Sequence, residues 1–128
     1  MPILQIKALP QEDPSRIRMA IKKTAIAISK SYGCLPENVW VAWQEIKADF
    51  YVEGEIGAQK QPRDTHPPIC ELICFEGKSS DEIEIILSTA AQTLSSELDI
   101  HDNIFITYRE AKSGQVIAGN GILKKNNG

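Results

Sequence analysis

The sequence predicts an α+β fold: two βαβ repeats forming one sheet, with two helices on one face. Three observations carry that expectation. The stretch Pro2-Ile3-Leu4-Gln5-Ile6 returns 66 residues later as Pro68-Ile69-Cys70-Glu71-Leu72. A glutamate closes a β-rich stretch in each copy, Glu45 and Glu110, 65 residues apart, so the copies stay nearly in register. Between these landmarks each copy carries a helix-start signal and an amphipathic segment. Repetition on this scale is the first thing to settle in a sequence. Parallel strands joined by crossover helices then put both helices on the same face. The repeats run from about 2 to 56 and from 68 to 121 within one domain, 1–128, long enough to own a core.

Each element follows from local pattern. Residues 3–9 read as a buried strand. Asp13 is expected to cap the first helix with Pro14 at its first helical position. Ile17, Ile21, Ala25 and Ile28 recur at the 3.6-residue period of one buried stripe. Lys30 falls near the helix end, and Gly33 is the expected left-handed cap. In 39–46, Val39, Val41 and Trp43 alternate with Trp40, Ala42 and Gln44, which is strand spacing in strand-favouring residues. The polar stretch 57–66, with Pro62, connects the copies.

The second copy repeats the plan. Residues 68–75 are almost continuously apolar, as in a strand covered on both faces. Ser79 and Glu82 form a capping box, and Ile83, Ile86, Ala90, Leu94 and Leu98 form the second stripe. A strand is expected over 103–109. Ser113-Gly114 reads as a hairpin turn into 116–118, with a polar, frayed tail from Gly119.

Composition narrows the function classes. The formal net charge is −3, and no Lys/Arg stripe stands out, which argues against nucleic acid. Lys22-Lys23 and Lys124-Lys125 read as solvated surface. No apolar run approaches ~18 residues, so no membrane span is expected and the protein is placed in the cytoplasm. Cys70 and Cys74 share a strand face about 13 Å apart, at ~3.3 Å per residue, beyond disulfide reach. With Cys34 they read as reduced thiols. His66 and His101 have no ligand spacing, so no metal site is expected.

Chemistry concentrates at Pro2. Loss of Met1 would turn the Pro2 nitrogen into a secondary amine fixed at a strand end. An α-amino group titrates near ~8, and burial or a neighbouring cation lowers that value. A base that titrates near working pH suits proton transfer at carbon. The alternative is a Met-Pro start without chemical meaning.

These residues resemble the tautomerase superfamily, built from βαβ units with an amino-terminal proline. Pro68-Ile69 through Phe75-Glu76-Gly77-Lys78-Ser79 is similar to the opening strand and Glu-Gly-Arg-Ser turn of a 4-oxalocrotonate tautomerase subunit, with Lys78 in place of arginine. Gln44-Glu45 and the Phe50-to-Gly54 element resemble the family's second strand and its following turn. The duplicated length is similar to cis-3-chloroacrylic acid dehalogenase, malonate semialdehyde decarboxylase and macrophage migration inhibitory factor. The resemblance implies the tautomerase/MIF-like fold, a homotrimer, a small-molecule substrate, no cofactor, and Pro2 as catalytic base. The dehalogenase's arginine pair falls on Phe75 and Lys78, its helix histidine on Ile28, and its carboxylate on Ala118. Hydration of a haloacrylate is therefore not supported, and decarboxylation is also a lesser alternative. The simple tautomerase's first-copy arginines fall on Glu12 and Trp40. Phe105 and Thr107 fall where cytokine-like members carry tyrosine and asparagine.

Substrate-binding expectations rest on two cations and a group of aromatics. Lys78, with the free N–H groups at the second helix start, is placed to hold a carboxylate or enolate oxygen; the alternative is an exposed turn lysine. Arg109 is a second cation, unless it pairs with Glu45 or Glu110. Trp40, Tyr51 and Phe105, with Phe50, are candidates for an apolar pocket around the amine, or else core and interface. Two other classes stay open. One is a non-catalytic trimeric scaffold or small-molecule binder of the same fold. The other is a ferredoxin-like regulatory domain, against which the strand directly after Met-Pro argues.

Overall fold

The computed structural model describes residues 1–125. Its strands are β1 (Ile3–Ala8), β2 (Trp40–Glu45), β3 (Ile69–Phe75) and β4 (Phe105–Ala111), and its helices are α1 (Arg16–Tyr32) and α2 (Ser80–Leu98). The sheet order is β2-β1-β3-β4. β1 runs parallel to β2 and β3 parallel to β4, so each copy is a βαβ unit. The two units join where β1 pairs antiparallel with β3, Ile3 opposite Ile73 and Lys7 opposite Ile69.

Strand alternation sorts the side chains. Leu4, Ile6 and Ala8 of β1 and Cys70, Leu72 and Cys74 of β3 are buried beneath the helices with Ile28, Ile86 and Leu94. The other sheet face has no helix over it: Trp40, Ile69 and Phe105 are 44%, 42% and 53% exposed there. A face of that kind normally marks an interaction surface.

Helix ends follow capping chemistry, with one shift. α1 begins at Arg16, not at Pro14. Asp13 accepts hydrogen bonds from the Ser15 N–H and hydroxyl, and the Arg16 and Ile17 N–H groups donate three residues back. That tighter turn precedes the α-helix. The deepest line of α1 is Ala20, Thr24, Ile28 and Ser29, while Ile21 and Ala25 flank it. Small residues suit that line because α1 packs on α2 as well as on the sheet. Gly33 ends the helix at φ 89°. The α2 capping box is formed in both directions, and Ile86, Ala90, Leu94 and Leu98 are buried as the period requires.

The C-terminal segment departs from expectation. Gly114 does turn, at φ 78°, but β5 (Val116–Ile117) pairs with β6 (Leu123–Lys124). The stretch from Gly119 is therefore a returning arm and not a frayed tail. Gly119 and Gly121, at φ 87° and 77°, permit the reversal, and Asn120 Oδ1 accepts from the Ile122 N–H at 3.0 Å. Residues 126–128, the last of that expected tail, lie outside the described residues.

Two substitutions separate backbone strain from packing. A Cβ on Gly33 meets nothing within 4 Å, so Gly33→Ala is expected to cost only backbone strain, about 1 kcal/mol. Leu72, fully buried, is expected to cost about 2–5 kcal/mol as Leu72→Ala. Urea denaturation of both variants checks the ordering.

Candidate functional site

The amino terminus lies at the end of the β1–β3 seam. Continuing that register outward sets Pro2 opposite Cys74 and Met1 opposite Phe75. The Pro2 ring is buried, and its carbonyl accepts from the Trp40 N–H at 3.1 Å, so the strand start is tied on its other edge as well. The Met1 amine donates to the Tyr32 hydroxyl at 3.1 Å. Tyr32 ends α1, which runs back along the sheet and brings its last turn to the start of β1.

Two ammonium groups flank this point. Lys78 Nζ donates to the Tyr32 carbonyl at 3.1 Å and stands 4.2 Å from the Tyr32 ring centroid. It also pairs with Glu82 at 3.6 Å. Lys124, on β6, sits 4.7 Å over the Phe75 ring. Burial, first, and then Lys124 hold the terminal amine below its ordinary value of 8.0; Lys78 adds to this weakly, while the Cys34 and Cys74 thiols oppose it.

Thiols and phenols form the surroundings. The Tyr108 hydroxyl is buried without a well-formed hydrogen bond and interacts with the Cys74 thiol. Burial raises the Tyr32, Tyr108 and Cys74 ionisations, so these groups stay protonated at neutral pH. Cys70, deeper in the core, is pushed up to about 12 by burial. All three cysteines are free. Among the described residues no three His, Cys, Asp or Glu side chains gather where they could hold a metal ion.

The expected site residues divide. Pro2 and Lys78 share the amino-terminal end, and Trp40 lies beside it, opposite Ile3 on the open face. Phe105 does not: it aligns with Ile69, which pairs with Lys7, about 16 Å along β1 from Pro2 at ~3.3 Å per residue. Tyr51 lies by Pro67, at that far end, its hydroxyl donating to the Pro67 carbonyl at 2.7 Å and its ring edge-on to His66 at 5.2 Å. Phe50 is 73% exposed beneath the Lys47 ammonium. Arg109 is on the open face, opposite Ile73, and pairs with Glu71 at 3.3 Å, not with Glu45 or Glu110. Within one chain these aromatics therefore do not form a pocket around the amine.

Sequence reasoning missed Tyr32, Lys124, Cys34, Cys74 and Tyr108. Tyr32 had a usable signal: a residue just before the helix cap in a βαβ unit ends near the first strand's start. Lys124, expected to be solvated surface, is half-buried against Phe75 because the returning hairpin carries it there.

Solved structures with this arrangement are numerous. A native fused 4-OT superposes with a TM-score of 0.81 at 20% identity, covering 94% of each chain. The chain has the tautomerase fold. The same fold is seen in Pt0534 inactivated by 2-oxo-3-pentynoate, with a TM-score of 0.78, 13% identity and 94% of each chain covered. A macrophage migration inhibitory factor of Toxoplasma gondii gives 0.67 at 13% identity, over 92% of this chain and 96% of that one. No family model matches the sequence, and no curated protein does. The tautomerase fold is thus held by core spacing and strand register, with few shared residues.

The amine should titrate below 8.0. Because its folded value is depressed, the unfolded chain binds more protons between the two values. The stability from this group is then complete above 8.0 and lost as pH falls through the folded value. An NMR titration of the terminal residue at or above the ordinary value would contradict this.

Proposed function

We propose that the protein is a cofactor-independent keto–enol tautomerase acting in the cytoplasm on a small keto or enol carboxylic acid. The carrying observation is the amino terminus: half-buried, hydrogen-bonded to Tyr32, and depressed in basicity by burial and two flanking lysines. The 1–128 chain is read as one functional unit made of both repeats. Once Met1 is lost, the Pro2 nitrogen, one residue inward of the Met1 amine, becomes the free secondary amine at this end. Its lone pair removes a proton from the carbon beside the substrate carbonyl, and the electron pair moves onto the carbonyl oxygen. Lys78, or the N–H groups opening α2, stabilises the enolate oxygen. The protonated amine then returns the proton at the other end of the conjugated system.

Assembly completes the proposal. Fused 4-OT structures of the same fold are trimers. The uncovered face with Trp40, Ile69 and Phe105 supports the same state here, since leaving those side chains in water is costly. In a trimer Phe105 and Arg109 have a route to a substrate that they lack in a single chain: across the boundary, into a neighbour's amino-terminal site. Tyr51 has its hydroxyl committed to Pro67 and offers only its ring. One observation favours the scaffold alternative: Lys78 is already engaged by Tyr32 and Glu82.

Turnover decides between these readings. With phenylenolpyruvate, Lys78→Ala is expected to lower kcat/KM about tenfold, or ~1.4 kcal/mol, with little change in Tm. Pro2→Ala should lower it further. A wild-type rate no greater than buffer would leave the scaffold standing. Separately, light scattering at micromolar concentration should give the mass of a trimer. A stable monomer would remove the proposed role of Phe105 and Arg109.

A further inference from the structure

The C-terminal hairpin lies across the end of the sheet that holds the amino terminus. It leaves β4 at Ala111, beside Phe75, and the Gly114 N–H bonds the Lys124 carbonyl at 2.8 Å. Its bend reaches the opposite edge strand: a Cβ on Gly119 would lie 3.1 Å from Trp40 Cη2. In the sheet order the start of β1, with Met1 and Pro2, lies between Trp40 and Phe75. β6 then brings Lys124 back over Phe75.

The two lysines at this end differ in their commitments. Lys78 has a carbonyl, a ring and a carboxylate as partners. Among the described residues no carboxylate pairs with Lys124, which rests on the face of Phe75. A cation held over a ring keeps its charge and its donors. It is therefore the more available group for an incoming anion.

We propose that Lys124 is the specificity-determining residue of the amino-terminal site, receiving the carboxylate of a small 2-keto acid and leaving Lys78 to the enolate oxygen. The inference rests on the tautomerase reading but is tested without turnover. It assigns an anion-selecting role to the hairpin, and the position of β6 decides the substrate's charge. Its electrostatic influence on the amine is in the same sense: a cation here favours both the free amine and the bound carboxylate.

The probe is 2-oxo-3-pentynoate, an anionic ynone, compared with its uncharged methyl ester. In either reaction the amine lone pair adds to the alkyne carbon β to the ketone, one π bond is lost, and the amine proton moves to the adjacent carbon. Intact mass follows labelling of the full-length protein, and fragment masses locate it at the terminal residue. The readout is the ratio of anion to ester labelling rates, which cancels any change in amine basicity. Lys124→Gln should lower that ratio about fivefold, Lys124→Arg should retain it, and the exposed Lys125→Gln should leave it unchanged. In ~1 M salt the difference should collapse, since the screening length falls to ~3 Å. An unchanged ratio in Lys124→Gln, or an equal fall in Lys125→Gln, overturns the proposal. So does a terminal amine that neither reagent labels. Labelling with the expected ratios but no turnover would uphold the anion site and sink the tautomerase reading.

Discussion

The antiparallel seam between β1 and β3 is the constraint on which the rest of the molecule depends. Each βαβ unit alone is two parallel strands with one helix, too little to bury its apolar stripe. Pairing Ile3 with Ile73 and Lys7 with Ile69 joins the units edge to edge and aligns α1 beside α2. Leu4, Ile6, Cys70 and Leu72 then share one core layer. A one-residue slip would turn each of these side chains to the open face. The seam also sets the chain's first residues beside the β3–α2 turn that carries Lys78.

Electrostatics at that end have a simple origin. A strand start between two neighbours is partly desolvated, so an amine there loses hydration without gaining a carboxylate. Its partner is a neutral hydroxyl, Tyr32, and its charged neighbours are cations. Desolvation and the neighbouring cations disfavour the protonated form. The Cys34 and Cys74 thiols offset this only in part, and burial holds Cys74 protonated. The surroundings of the amine thus favour an unprotonated nitrogen.

The open sheet face is the molecule's other unresolved demand. Trp40 and Phe105 stand at opposite ends of it, one beside the amino terminus and one far from it. A chain folding alone gains nothing from exposing either. The connection between the repeats shows how polar groups are treated when they are enclosed: His66 is buried with both ring nitrogens engaged, by Thr65 and Ile56, and Gln61 bonds two carbonyls. Exposure of large apolar groups on the sheet is confined to the side without helices.

By itself the sequence determined the repeat, both helices, the four long strands, the Gly33 cap and the alternation along β2. All of these follow from short-range periodicity and capping, which act within a few residues of each other. The position of Pro2 at a strand start was legible for the same reason: it is local. The tertiary structure alone decided which groups meet there. It also decided the burial of β3: residues 68–75 read as covered on both faces, whereas within the strand only Cys70, Leu72 and Cys74 are buried. Lys124 looked like solvated surface because nothing near it in sequence sends it inward; the glycines at 119 and 121 and the pairing with β5 do so. Tyr51 and Phe105 looked like pocket aromatics because composition carries no position along a strand. Register placed Phe105 at the far end, and the bond to Pro67 placed Tyr51 there; register depends on contacts between residues 36 to 70 apart, which no local pattern encodes.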